Sequence, residues 1–265
     1  MMRNGDFHVH TQYCPHGSKD TMEAYILRAI EKGLESLTFT EHAPLPDSFV
    51  DPVPNQDSAM SWTDVDAYLA DGEKLKQKYK DDIHIKIGFE VDYIEGFEKE
   101  TKNILNYFGS KIEDSILSVH MLRINDEYVC IDYSVDEFER ILSLSNGIDS
   151  LYTLYYNTLK QSILADLGTY KPRRIGHMTL IEKFRKRFPT ATDFSSLQKE
   201  ILLLIQQEHL ELDVNTAGFF KDWNENCYPP QQLIYKAKEL GIPLVPGSDS
   251  HTAKHIARGF NRITI

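Results

Sequence analysis

Histidines that follow short apolar runs constrain the fold of this chain more than any other feature of its sequence. Seven of the ten histidines belong to this set or lie close to it: His8, His10, His16, His42, His120, His177 and His251. Residues two apart on a strand point to the same face, so His8 and His10 are expected to aim into one cavity. Asp249 and His251 repeat this spacing after the apolar run 242–245. Two distant segments therefore predict one shared site.

Seven strand-like segments alternate with helical patterns. The strands are predicted at residues 7–11, 36–40, 83–91, 115–120, 174–177, 210–215 and 242–247. The helical patterns cover residues 22–32, 63–79, 98–108, 135–167, 193–207 and 230–240, and residues 135–167 are long enough for two helices. This alternation favours an α/β fold with a parallel sheet, and this number of units in a chain of this size favours a closed barrel.

Composition limits the classes of protein that remain. The 265 residues are 41% hydrophobic, enough for a sizeable core, and predict one domain over residues 1–265. No apolar run approaches the roughly 18 residues of a membrane span, and the start lacks a secretion signal, so a cytoplasmic protein without a membrane partner is expected. The net charge of −11 disfavours nucleic acid as a partner but allows a small anionic substrate. The sequence does not predict the oligomeric state.

Barrels of parallel strands carry their active sites at the C-terminal ends of the strands. Eight residues of ligand type fall at or just past such an end, and His16 follows on the first loop; the eight are His8, His10, His42, Glu90, His120, His177, Asp249 and His251. A lone histidine there is more often structural, but six strand ends that carry such residues together favour a metal centre. His84, His209 and His255 are expected to be non-ligands.

The motifs HVH, CPHG, TEH, GFEVD, SVH, IGH and GSDSH, in this order from Asp6 to His251, resemble the PHP (polymerase and histidinol phosphatase) superfamily. Within it, CPHG, SVHML and ELDVNTAG are most similar to the histidinol-phosphate phosphatases of the PHP type. The resemblance implies a distorted (β/α)7 TIM-like barrel that holds three divalent ions at the C-terminal ends of its strands.

The resemblance also implies which residues hold each ion. One ion would take His8, His10, Glu90 and Asp249. A second would share Glu90 and add His120 and His177, and a third would take His16, His42 and His251. Asp92 and Asp6 are expected to hydrogen-bond to imidazoles that bind metal. Read from the residues alone, Glu90 is also compatible with an ordinary acid at a strand end.

Imidazoles and carboxylates in this number suit zinc, manganese or iron better than calcium or magnesium. Closely spaced divalent ions lower the pKa of a bridging water from 15.7 toward roughly 7, which allows hydroxide to attack a phosphoryl group. The expected reaction is hydrolysis of a small phosphate ester, L-histidinol phosphate, to L-histidinol and phosphate in histidine biosynthesis. Asp249, Glu90 and His177 are the candidate catalytic residues, with Asp249 as the proton acceptor.

Arg123, Asn215 and Arg258 are the candidate substrate-binding residues, because Asn215 ends a predicted strand and the two arginines follow His120 and His251 on the same side of the barrel. Arg174 ranks behind Arg123, since it begins the strand that His177 ends, roughly 10 Å away along that strand. Two other functions stay open: a phosphoesterase acting on nucleotides, oligonucleotides or phosphotyrosine, and a non-catalytic metal-binding module. A long basic groove would favour the polymeric substrates, and turnover would exclude the non-catalytic module.

Overall fold

A computed structural model describes residues 4–265, so residues 1–3 of the predicted domain lie outside the described residues. The strands of the described part are β1 (Gly5–Val9), β2 (Ser36–His42), β3 (His84–Asp92), β4 (Ile116–Ser118), β5 (Met121–Ile124), β6 (Glu127–Cys130), β7 (Arg174–Ile175), β8 (Glu211–Asn215) and β9 (Leu244–Gly247). Seven of them form one parallel sheet in the order β1-β2-β3-β4-β7-β8-β9, and β5 and β6 form an antiparallel hairpin.

The sheet closes between its first and last strands. The backbone N–H of Asp249 donates to the carbonyl of His8 at 2.8 Å, and that of His10 donates to the carbonyl of Ser250 at 2.9 Å. These bonds follow the end of β9, where Val9 and Ser250 form one parallel bridge. The narrow closure makes the barrel irregular, and the predicted distorted seven-stranded barrel is confirmed.

Helices alternate with the strands as predicted. In residues 4–265 they are α1 (Met22–Glu31), α2 (Val65–Lys78), α3 (Glu98–Phe108), α4 (Val135–Leu144), α5 (Ile148–Leu164), α6 (Ser195–Gln207) and α7 (Gln231–Glu239). The predicted segment 135–167 is two helices. No helix of this part of the chain has both the length and the apolar character needed to cross a membrane.

The packing of α2 against the sheet fixes which face of β3 turns inward. The Tyr68 hydroxyl of α2 donates to the carbonyl of Gly88 at 2.8 Å, and its ring lies 5.8 Å from that of Phe89. Successive strand residues point to opposite faces, so Glu90 turns away from this layer and is only 2% exposed. The parallel register then places His42 of β2 opposite Glu90.

One glycine sets how closely β3 approaches the chain before β4. A Cβ atom at Gly88 would lie 1.4 Å from the carbonyl oxygen of Asp114, so no larger residue fits without moving the backbone. The carboxylate of Asp114 also pairs with Arg174, which begins β7, at 2.9 Å. Arg174 thus lies at the end of β7 opposite His177, as predicted, and serves the packing of the strands.

The hairpin β5–β6 is the main difference from the prediction. The strand expected over residues 115–120 ends at Ser118, and the chain then turns into the hairpin. Its connection is Asn125-Asp126, with Asn125 at φ 56°. Asn-Asp is a weaker hairpin signal than Asn-Gly or Asp-Gly because the second position also favours glycine, and for this reason the turn was missed.

Candidate metal centre

Glu90 lies at the centre of the clustered histidines. Its Oε2 lies 3.2 Å from His8 Nε2 and 3.4 Å from His10 Nε2. Its Oε1 lies 2.9 Å from His177 Nε2 and 3.8 Å from His120 Nε2. The carboxylate therefore faces His8 of β1 and His10, just after β1, with one oxygen, and the histidines that follow β4 and β7 with the other.

Asp249 approaches the same group from the end of β9. Its Oδ1 lies 3.2 Å from His10 Nε2 and 3.8 Å from His8 Nε2. The backbone of Asp249 is left-handed, with φ 51°, a conformation that aspartate tolerates better than most residues. The side-chain amide of Asn215 donates to Asp249 Oδ2 at 3.2 Å and so fixes the orientation of the carboxylate.

A third group lies around His42. The ring of His16 is 5.1 Å from the rings of both His42 and His251. His16 Nδ1 donates to the carbonyl of Asp57 at 2.8 Å, which leaves Nε2 as the nitrogen able to bind an ion. The buried thiol of Cys14 also lies here, although no sequence motif predicted it as a ligand.

Three sets of side chains have ligand atoms within 4.8 Å of one another, which is close enough to share one ion per set. They are His8, His10 and Asp249; Glu90, His120 and His177; and His10, Cys14, His42 and His251. All nine predicted ligands except His16 occur in these sets. The third set differs from the prediction because Cys14 and His10 lie closer to His42 and His251 than His16 does.

Several buried ring nitrogens at this centre have no hydrogen-bond partner in residues 4–265: His8 Nε2, His10 Nε2, both nitrogens of His42, His177 Nδ1 and His251 Nε2. Buried polar atoms in native proteins nearly always have a partner. The missing partners of these nitrogens are therefore expected to be bound ions. Because the nitrogens are grouped with carboxylate oxygens, the donor set fits divalent transition-metal ions.

The opposite ring nitrogens are held by carboxylates. His8 Nδ1 lies 2.9 Å from Asp213, His10 Nδ1 lies 3.2 Å from Glu41, and His120 Nδ1 lies 2.7 Å from Asp92. Each contact turns the Nε2 atom of its histidine toward the centre, an arrangement common around protein-bound metals. Asp92 contacts an imidazole as expected, whereas Asp213 was not predicted to do so.

The expectation for Asp6 is wrong. Its carboxylate accepts hydrogen bonds from the backbone N–H of Ser248 at 2.9 Å and of Ala257 at 2.8 Å, and it contacts no imidazole of the described chain, residues 4–265. Asp6 therefore fixes the chain around Asp249 and His251. Sequence spacing could not separate this role from contact with a ligand, because both place a buried acid beside β1.

The histidines of the centre differ in protonation state. Burial, followed by the charge of His10, holds the pKa of His42 and of His251 well below the ordinary value, so both imidazoles are neutral. Burial alone would raise the pKa of Glu90, but the charges of His8 and His120 outweigh it and hold that pKa well below the usual range. Burial also lowers the pKa of His8, His10 and His120, but nearby carboxylates outweigh it and raise the pKa of His8 well above the ordinary value, that of His10 to about 9 and that of His120 to about 10. A bound ion would replace the protons of these three imidazoles, since neutral imidazoles and ionised carboxylates are the forms that bind metals.

Part of this centre lines a cavity of about 530 Å³, namely His16, His42, Glu90, His120, His177, Asp249 and His251. Among the described residues that line it, Lys183, Lys221 and Arg258 provide permanent cations. Burial, and then the charge of Lys183, lowers the pKa of Lys221. Arg258 donates to Nδ1 of His255 at 3.2 Å and lies over the ring of Phe220. The predicted Arg258 is thus at the cavity.

Two other predicted substrate-binding residues do not line this cavity. Arg123 lies on β5, is 40% exposed and pairs with Asp126, because alternation along the hairpin turns it away from the buried Leu122 and Ile124. Asn215 is fully buried; its amide oxygen accepts from the backbone N–H of Ala217, and its amide nitrogen contacts Asp249. We correct both assignments: Asn215 positions Asp249, and Arg123 belongs to the surface.

The two lysines of the cavity were not predicted. Lys183 lies in a 3-10 helix, Leu180–Phe184, and Lys221 follows another, Ala217–Phe220. Each comes six residues after the end of a strand-like run, after His177 and Asn215 respectively. A search of all loops beyond strand ends for basic residues would have found both.

Comparisons with known proteins identify relatives of this chain. The family model for the PHP domain matches residues 6–217. The histidinol-phosphatase of Bacillus subtilis (strain 168) is 42% identical over 261 residues, which cover 98% of this chain and 97% of that protein. A probable histidinol-phosphatase of Deinococcus radiodurans is 30% identical over 93% of this chain and 85% of that protein.

Solved structures share the fold. A Listeria monocytogenes protein described as a candidate histidinol phosphatase has a TM-score of 0.93 and 37% identity, and the match covers 98% of this chain and all of that one (100%). The histidinol phosphate phosphatase of Lactococcus lactis, solved with zinc, L-histidinol and phosphate, has a TM-score of 0.66 and 22% identity, with 96% and 88% covered. With its match to the family model and its 42% identity to a curated relative, this chain belongs to the PHP domain family.

Proposed function

We propose that this protein hydrolyses L-histidinol phosphate to L-histidinol and phosphate, a step of histidine biosynthesis, with bound divalent metal ions. One observation carries the proposal: the ligand-type side chains of six strand ends converge at one centre in a chain that is 42% identical to a histidinol-phosphatase. The structure of the Lactococcus lactis relative contains zinc, L-histidinol and phosphate, which supports the same substrate and metal class here.

We assign three ions to the centre, each zinc, manganese or iron. His8, His10, Glu90 and Asp249 would hold the first, and Glu90, His120 and His177 the second. His16, His42 and His251 would hold the third, with Cys14 close enough to replace His16. Bound ions of this kind supply an acidic water molecule and positive charge for the phosphoryl oxygens.

The protein's own groups then hold protons and orient the reacting atoms. Asp249 is the proposed proton acceptor: Oδ2 is held by Asn215, and Oδ1 faces the histidines of β1. Glu90 is fixed by Ser118, whose hydroxyl donates to Oε1 at 2.6 Å, and by His177. We therefore expect Glu90 and His177 to act in catalysis by keeping the centre rigid.

We assign recognition of the phosphate to the cationic side of the cavity. Lys183 is anchored by Asp132 at 3.0 Å, and Arg258 by its contact with His255, so both charges are placed in advance. Fixed positive charges that face a group becoming more negative in the transition state are a major source of catalysis. Lys221 adds a third charge on this side.

Phosphate release from L-histidinol phosphate, by purified protein supplied with zinc or manganese, tests the proposal. Sugar phosphates, nucleotides and a phosphotyrosine peptide form the comparison panel, and His10→Ala is the control. Selective hydrolysis that the control abolishes would support the proposal. Preference for another member of the panel would identify that compound class as the substrate and keep the metal-dependent hydrolysis. No turnover with metal bound would favour the non-catalytic metal-binding module.

A further inference from the structure

One acidic side chain of the cavity has no partner for its carboxylate among residues 4–265. The carboxylates that line the cavity are those of Asp57, Glu90, Asp92, Asp132 and Asp249. Glu90 and Asp249 face the histidines of β1, and Asp92 holds His120. Asp132 pairs with Lys183. Within residues 4–265, Asp57 alone of these five has no hydrogen bond or ion pair to its carboxylate.

The loop that carries Asp57 is built to hold this residue in place. Asp51 accepts from the backbone N–H of Val53 at 3.0 Å, and from the N–H and hydroxyl of Ser58 at 3.0 and 2.6 Å. These bonds tie both sides of the turn at Gln56, whose φ is 50°. The carbonyl of Asp57 accepts from His16 Nδ1, so the residue stands directly beside the metal centre.

The basic side chains of the cavity and Asp57 lie on different segments of the chain. Lys183, Lys221 and Arg258 lie on segments that follow β7, β8 and β9, whereas Asp57 lies on the loop after β2. A carboxylate so close to a site for phosphate would repel the substrate unless the substrate carried a compensating positive charge. In L-histidinol phosphate, the carbon next to the ester methylene carries a protonated amine.

We propose that Asp57 binds the ammonium group of the substrate and thereby selects phosphate esters of 2-amino alcohols. The inference rests on the proposed function and deepens it. Lys183, Lys221 and Arg258 would bind the dianionic phosphate of such a substrate. Asp57 would bind the ammonium group on the carbon beside the ester methylene. Esters that lack this amine, such as sugar phosphates, leave the carboxylate unpaired near the phosphate.

The test compares L-histidinol phosphate with 3-(imidazol-4-yl)propyl phosphate, which has the imidazole and the ester but no amine. Hydrogen bonds to charged groups contribute about 1.5–3 kcal/mol, so wild-type kcat/KM is expected to favour the amine by about 10- to 100-fold. Asp57→Asn is expected to reduce this preference about 10-fold, mainly through KM. Asp57→Glu should recover part of it.

Asp47→Asn is the matched control, since Asp47 lies on the same loop, is exposed and borders a different pocket. It removes the same charge and should keep the wild-type preference. Zinc content is measured for every variant. As a second measurement on the wild type, L-histidinol should inhibit at lower concentration than 3-(imidazol-4-yl)propanol.

Three results would overturn the inference: an unchanged preference in Asp57→Asn, an equal loss on both substrates, or equal inhibition by the two alcohols. An equal loss with less zinc would assign Asp57 to the support of His16 instead. If wild-type protein with bound metal hydrolyses neither ester, the proposed function itself fails, which is a different outcome from any of these.

Discussion

A buried imidazole can present either ring nitrogen to an ion, and at His120 the choice depends on Asp92. The Asp92 carboxylate contacts Nδ1 at 2.7 Å, so Nε2 faces Glu90. We expect Asp92→Asn to weaken metal binding by about 10- to 100-fold, because the imidazole loses the anion that orients it and increases its basicity. Metal retained after dialysis against graded chelator, measured by elemental analysis, checks this.

Asp126→Asn is a suitable control for that experiment, since the Asp126 carboxylate is 99% exposed and pairs with Arg123 at the surface. It changes the net charge by the same amount at a distance from the centre. Equal metal retention in the two variants would show that Asp92 has no part in holding the ion.

The two carboxylate oxygens of Asp249 have different partners: Oδ2 accepts from Asn215, and Oδ1 lies near His10. The proposed role of Asp249 as proton acceptor depends on this fixed orientation. We expect Asp249→Asn to lower kcat by about 100-fold or more, the usual contribution of a positioned acid or base. Turnover of L-histidinol phosphate is measured together with metal content, because the carboxylate is also a proposed ligand. Full turnover at full metal content would remove Asp249 from the mechanism.

At the scale of elements, the pairing of β4 with β7 depends on a buried ion pair at the end of the barrel opposite the cavity. Arg174 is 1% exposed and forms an ion pair with Asp114 at 2.9 Å, and Asp114 also accepts from the Thr38 hydroxyl at 3.2 Å. Asp114→Ala leaves a buried charge without its partner, and we expect the free energy of unfolding to fall by about 3–5 kcal/mol. Urea unfolding at constant metal concentration measures the change.

The neighbouring residue provides the control for this substitution. Glu113 pairs with Lys76 at the surface and is 39% exposed, so Glu113→Ala should cost about 1 kcal/mol or less. If Asp114→Ala and Glu113→Ala lower the urea midpoint equally, the buried pair does not stabilise the junction of β4 and β7.

The elements of the barrel were predictable because buried parallel strands are short, apolar and separated by amphipathic helices. The strand predicted over residues 83–91 is observed as His84–Asp92, and the helix predicted over residues 98–108 is observed as Glu98–Phe108. Placement of Glu90 beside the histidines follows from these boundaries. The hairpin β5–β6 was missed because its turn lacks glycine.

The contacts that support the centre were harder to predict, because they join residues far apart in the chain. His8 and Asp213 are separated by 205 positions, and no local pattern distinguishes Asp213 from other acids in strands. The same holds for Asp6, whose partners are 242 and 251 positions away. Sequence periodicity gives the face on which a side chain lies, and tertiary contacts decide its partner.

At the scale of the whole molecule, the centre draws its ligands from both sides of the barrel closure. His8 and His10 lie on or just after β1, and Asp249 and His251 follow β9, where few backbone bonds join the ends of the sheet. Ions bound between them would link these two strands. Removal of metal should therefore loosen the closure as well as stop turnover.

We expect a chelator to lower the midpoint of thermal unfolding, and added zinc or manganese to restore it. One ion present at 100 times its dissociation constant stabilises the folded state by about 2.7 kcal/mol, which corresponds to a shift of roughly 5–10 °C in a chain of this size. Differential scanning calorimetry with and without chelator measures the shift.

In His10→Ala the shift should be smaller, because His10 belongs to two of the three ligand sets and its loss weakens both. A chelator-induced shift of the same size in His10→Ala and wild type would mean that the ions stabilise some other part of the chain.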